Sequence, residues 1–203
     1  MSADRRGPIA GVVLAAGAST RLGTNKLFVR LGGETVLRRA VGTAARGGLD
    51  PVLVVLGHEL PRALAELSGT DAHPVVNPDH RAGIQGSLRC GIGAVPAAAP
   101  GAVVLLADMP YVTPAMIRIL VERFRAGAPP LVISTYAGVL APPTLYGRSL
   151  FAELAALSGD GCGKRVMKAH LDHAVRVDWP AGALADLDLP GDVARVQGLL
   201  GGS

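Results

Sequence analysis

Short uncharged apolar runs recur along the chain at residues 9–16, 52–56 and 103–107, separated by amphipathic stretches. This alternation limits the possible folds more than any other feature of the sequence. Runs of five to eight such residues are too short for a helix of ordinary length and suit strands buried on both faces. Between them, Glu34-Thr35 opens a helix with Val36, Leu37, Ala40, Val41 and Ala44 on one face, closed by Gly47-Gly48. Pro61 suits a first helical turn, with Leu60, Leu64 and Leu67 at helical spacing. Residues 74–77 form a short third strand, and a helix begins near Ser87. Thr113-Pro114 supplies a cap and first-turn residue to a helix with Met116, Ile117, Leu120 and Phe124 inward. The pattern predicts an α/β fold: a mostly parallel sheet with helices on both faces. Beyond residue 130 the rhythm changes. A strand at 131–136 precedes an irregular return over 139–146, interrupted by Pro142-Pro143. A helix at 149–157, an edge strand at 175–178 and a terminal helix carrying Val193, Val196 and Leu199 follow.

The length of 203 residues fits one domain spanning 1–203, and 49% hydrophobic residues supply its core. No apolar run approaches the roughly 20 residues of a membrane helix. The first eight residues are short and charged, without the apolar stretch of a secretory signal. The net charge of +4 is spread out and only 3% of residues are aromatic, which argues against nucleic acid and suits a small anionic substrate. Cys90 and Cys162 are distant and unpatterned, in keeping with a reducing cytoplasm. His170 and His173 lack a third ligand at zinc spacing, and no G-x-S-x-G elbow accompanies Ser19 or Ser87.

The chemistry concentrates in residues 12–26, VVLAAGASTRLGTNK. A buried strand empties into a loop where Gly17 and Gly23 allow the main chain to approach a ligand. Consecutive N–H groups in such a loop suit phosphate oxygens, and Arg21 and Lys26 add a planar and a mobile cation. The spacing matches neither the Walker nor the dinucleotide pattern. A polyphosphate cradle and an ordinary charged strand-loop-helix connection both fit these residues. Asp108 follows a buried strand directly; it either caps the next turn or holds Mg²⁺ against phosphate oxygens. In a parallel sheet both features fall outside the carboxyl ends of strands, where ligands bind.

As written, LAAG-x-S-x-R-x-G-x-x-K resembles the signature of the nucleotidyltransferases related to the molybdenum-cofactor cytidylyl- and guanylyltransferases. The resemblance continues in Asn77-Pro78-Asp79-His80-Arg81-Ala82-Gly83-Ile84-Gln85-Gly86-Ser87, although His80 replaces the family's aromatic residue. It continues further in Asp108-Met109-Pro110 and, partially, in Asp186-Leu187-Asp188-Leu189-Pro190. It implies a Rossmann-like three-layer sandwich of the nucleotide-diphospho-sugar transferase type. It also implies Mg²⁺-dependent transfer of CMP from CTP to molybdopterin cofactor, with contact to a molybdoenzyme or its chaperone. The matching positions make Arg21, Lys26 and Asp108 catalytic. Leu14, Ala15, Ala16, Gly17, Ser19, Arg21, Lys26, Asn77, Gly86 and Ser87 become nucleotide-binding, and Asp108 and Asp188 metal ligands. Ala16 matches the L-A-A-G of the cytidylyl branch rather than the L-A-G-G of the guanylyl branch.

The acceptor end departs further from the family, with Ala141-Pro142-Pro143 in place of G-H-P and Lys164 in place of an arginine. Pro143, Asp160 and Lys164 stand at the positions that meet the second substrate. Transfer to a sugar phosphate or another small phosphorylated acceptor is the alternative within enzymes. A nucleotide-binding regulatory domain without turnover is the alternative outside them.

Overall fold

The computed structural model describes residues 7–17, 25–127, 129–157 and 163–184. Its frame is a seven-stranded sheet in the order β5-β4-β1-β6-β8-β7-β9. Four strands lie on one side: β1 (Ala10–Ala15), β4 (Val52–Leu56), β5 (His73–Val76) and β6 (Gly101–Leu106). They pair in parallel, with Val13 opposite Val54 and Leu105. β7 (Leu131–Tyr136) and β8 (Val139–Gly147) are antiparallel to each other, and β8 is antiparallel to β6. The edge strand β9 (Ala174–Trp179) is parallel to β7. A small hairpin, β2 (Arg30–Leu31) and β3 (Glu34–Thr35), stands apart.

Alternate residues of β1 feed two separate cores, as the two-residue period of a strand requires. Val13 and Ala15 pack with α1 (Val36–Arg46), α2 (Leu60–Leu67) and α4 (Pro114–Gly127). Val12 and Leu14 pack with α3 (Ile84–Gly93), α5 (Phe151–Ala156) and α6 (Lys164–Ala169). The result is the expected three-layer Rossmann-like sandwich. Each fully buried Leu, Ile or Val contributes about 1.5–3 kcal/mol by leaving water. α3 lies so close to the sheet that a Cβ at Gly91 would sit 2.4 Å from a Val12 methyl. Glycine there permits the contact.

Three expectations need correction. α3 begins at Ile84 rather than near Ser87, because Gly83, at φ 104°, takes the N-cap position without a side-chain cap. The return after β7 is a nine-residue strand of the sheet, not an irregular segment. Its Pro142-Pro143 pair coincides with a register shift opposite Ile133 and Thr135. In α2 the inward residues are Ala63 and Leu67, while Leu64 is exposed. The terminal helix placed near Val193 and the loop at Asp160 lie outside the described residues.

Candidate active site

The chain runs from β1 outward through β4 to β5 and then returns to β6 on the other side of β1. That reversal is a topological switch point at the carboxyl ends of β1 and β6, where open α/β sheets bind ligands. The Ala107 amide donates to Leu14 O at 3.1 Å, and the His58 amide donates to Ala16 O at 3.3 Å. Leu14, Ala15 and Ala16 are buried, while Gly17 is exposed at the mouth of the loop. Ser19, Arg21 and Asp188 lie outside the described residues.

Lys26 opens a short 3₁₀ turn, Lys26–Phe28, that fixes where its side chain emerges. Asn25 caps this turn, its Oδ1 accepting from the Leu27 amide at 3.2 Å. Leu27 and Phe28 are buried and anchor the segment beneath it. The Lys26 ammonium then reaches Asp108, Nζ to Oδ2 at 2.5 Å, with the two side chains 17% and 20% exposed. The lysine that ends the glycine-rich loop and the aspartate that follows β6 therefore share one half-buried spot. Asp108 turns its carboxylate to a cation here.

An oxygen-only carboxylate that already accommodates a positive charge fits a hard divalent cation. Such ions take one or two protein carboxylates and complete their shell with phosphate oxygens and water. Among the described residues no group of three or more His, Cys, Asp or Glu side chains forms a metal cage.

The start of α3 carries a second group of residues expected to bind the nucleotide. Asn77 follows β5, its amide donating to Leu56 O at 2.8 Å. Its side chain is buried; Nδ2 donates to Ser87 Oγ at 3.1 Å and Oδ1 accepts from the Asp79 amide at 3.0 Å. Ser87 is thus held inside the first turn by Asn77 and does not cap the helix. A Cβ at Gly86 would stand 3.5 Å from Asn77 Nδ2, so Gly86 packs directly over this pair. His80 packs against the Gly57 backbone, leaving no room for a side chain at that glycine. Its ring centre is 6.3 Å from that of His58.

Of the residues expected to meet the second substrate, Pro143 is buried in β8 and its carbonyl accepts from Ser134 Oγ at 2.7 Å. Lys164 is exposed at the start of α6. Asp160, in the preceding loop, lies outside the described residues.

Two side chains around the lysine were not legible as site residues. Asn25 carries no signal beyond its place before Lys26. Glu59 adopts a left-handed backbone conformation, φ 49° and ψ 41°, at the N-cap of α2. The Asn25 side-chain amide, with Arg62 and His58 nearby, holds its carboxyl below the ordinary carboxylate range despite partial burial. The Arg62 guanidinium lies 4.0 Å over the Phe28 ring, so the start of α2 braces the segment that carries Lys26. Non-glycine residues in this conformation persist where the surroundings over-determine them, often beside functional sites.

Comparison with known proteins gives the chain its family. The chain is 32% identical to the purine catabolism protein PucB of Bacillus subtilis over 92% of its own length and 95% of PucB. It is 37% identical to the 2-C-methyl-D-erythritol 4-phosphate cytidylyltransferase of Rhodococcus jostii, over 62% of this chain and 55% of that one. The crystal structure of Rv0371c from Mycobacterium tuberculosis superposes with a TM-score of 0.82 at 30% identity, covering 94% and 98% of the two chains. A second structure, Rv0371C in complex with manganese, superposes at 0.77 with 28% identity, over 97% of this chain and all of that one. Residues 11–175 match the MobA-like NTP transferase domain, and the chain belongs to that family of nucleotidyltransferases.

Proposed function

We propose that this nucleotidyltransferase moves CMP from CTP to the terminal phosphate of molybdopterin cofactor, releasing pyrophosphate. The observation that carries the reading is the meeting of Lys26 and Asp108 at the carboxyl ends of β1 and β6. In the reaction an acceptor phosphate oxygen forms a bond to the α-phosphorus while the bond from that phosphorus to the bridging oxygen breaks. The electron pair leaves with pyrophosphate. Little covalent help is required; two anions must be aligned and their charge neutralised.

Lys26, Arg21 and the amides of the loop through Gly17 and Ser19 bind the triphosphate. Asn77, Gly86 and Ser87 receive the base and sugar, and Lys164, Asp160 and the Pro143 end of β8 receive the acceptor. Asp108, with Asp188, holds a divalent cation, taken as Mg²⁺, which when bound offsets the charge on the phosphates. Support for a divalent ion comes from the manganese complex of Rv0371C. Among the described residues no helix is long and apolar enough to cross a membrane. Transfer to a smaller phosphorylated acceptor is the second reading, favoured by similarity to a cytidylyltransferase named for methylerythritol phosphate.

The choice of CTP rests on Ala16, which is buried at the end of β1. Its methyl group takes space that a purine would need, and a methyl-sized difference is worth roughly 10–200-fold in discrimination. CTP is expected to outcompete GTP, each with Mg²⁺, in equilibrium binding. Ala16→Gly should narrow the preference without inverting it, since Asn77, Gly86 and Ser87 also meet the nucleoside. Tighter GTP binding by the unmodified protein would remove the cytidylyl assignment and leave nucleotidyl transfer standing.

A further inference from the structure

Gln85 is a polar side chain that the fold itself does not explain. It sits in the first turn of α3 and is only 5% exposed. Its Oε1 accepts from the Gly163 amide at 3.2 Å, across the sheet-facing side of the molecule from α3 to the start of α6. Its Nε2 is buried without a hydrogen-bond partner among the described residues. A buried amide that makes one bond and leaves its two donors unpaired gains less than its desolvation costs. An apolar side chain of the same length would serve the core at least as well.

What the single bond does is fix Gly163. That glycine has φ 78°, in the left-handed region. A Cβ there would lie 2.7 Å from Tyr146 Oη and 3.3 Å from a Leu88 methyl, so the residue is wedged between β8 and α3. The next residue is Lys164, and the Gly163 carbonyl in turn accepts from the Met167 amide at 3.0 Å, starting α6. The other neighbours of Gln85 in the chain are Gly86 and Ser87, on the nucleotide side. One amide group therefore ties the helix that receives the nucleoside to the residue that presents the acceptor-side cation.

We propose that Gln85 is a positioning residue that, through Gly163, sets Lys164 at the start of α6 in register with the bound nucleotide. The proposal rests on the acceptor end assigned under the proposed function. Gln85 touches neither reacting atom; it acts through Gly163. Its stabilising contribution is small, so its effect belongs in the placement of the second substrate. Small misplacements of that kind are costly, up to about a hundredfold for a shift near 1 Å.

The test compares wild type, Gln85→Met and Lys164→Ala with Mg²⁺, CTP and molybdopterin cofactor as acceptor. Methionine keeps the length of the side chain without its polar atoms, so Gln85→Met is expected to fold with an undiminished Tm. It should raise the KM for the acceptor about ten- to a hundredfold, leave equilibrium CTP binding unchanged, and speed hydrogen exchange at the Gly163 amide. A purely structural glutamine would instead lower Tm and leave the acceptor KM alone, which overturns the proposal. Wild-type exchange at Gly163 in Gln85→Met overturns it whatever the acceptor is. If Lys164→Ala raises the acceptor KM and Gln85→Met does not, the positioning role is wrong while the acceptor end stands. If Lys164→Ala changes nothing, the acceptor end itself is misassigned and the proposal falls with it.

Discussion

Replacing Lys26 with alanine is expected to lower turnover by about 10²–10³, the range for losing one preorganised charge-stabilising group. The side chain is 17% exposed and its residue opens a capped 3₁₀ turn, so its position is set before any substrate arrives. A charge held in place in this way costs no reorganisation at the moment pyrophosphate leaves. The fold should survive, because Leu27 and Phe28 anchor the turn from beneath and Lys26 itself adds no core surface. Steady-state kinetics alongside a thermal melt separate the two effects. A folded variant that turns over like wild type would reduce Lys26 to a surface charge and dismantle the phosphate cradle.

Asp108→Asn should have the second large effect. Asparagine keeps the size and one oxygen, but not the negative charge that offsets a divalent ion. Activity should lose its dependence on Mg²⁺ and fall to the level set by the loop alone. Nucleotide binding in the absence of metal should not weaken, because the substitution releases Lys26 from the carboxylate it meets at 2.5 Å. Titrating Mg²⁺ against activity, and CTP against protein in chelator, reads both halves. An unchanged metal dependence would return Asp108 to capping the turn after β6.

The frame of the molecule was legible because its signals are local. β1, β4 and β6 are unbroken apolar runs, and the Thr35 and Thr113 caps fall where the sequence places them, each accepting from a backbone amide. The failures have specific physical causes. Helix α3 looked as if it began near Ser87, but Gly83 takes the cap position and the Ser87 hydroxyl is engaged by Asn77, which follows β5. Pro142-Pro143 looked like a break, yet two prolines can sit in β8 where a register shift already interrupts pairing with β7.

The site divides in the same way. Lys26 and Asp108 each stood out in their own motif, but nothing in either motif states that their side chains meet. That contact comes from the order of β1 and β6 in the sheet. Gln85 lay unremarked just before the better-marked Gly86 and Ser87, since its partner Gly163 belongs to a distant part of the chain. Asn25 and Glu59 act on Lys26 through a brace that only the packing of α2 reveals.

The most direct measurement follows the fate of CTP labelled at its α-phosphorus, incubated with protein, Mg²⁺ and molybdopterin cofactor. The expected result is label in a cytidine dinucleotide form of the acceptor and one pyrophosphate released for each label transferred. Both should depend on acceptor and metal and be lost together in Lys26→Ala. CTP bound firmly, with neither label transferred nor pyrophosphate released to molybdopterin or to any phosphorylated acceptor, would contradict catalysis and leave a nucleotide-binding protein.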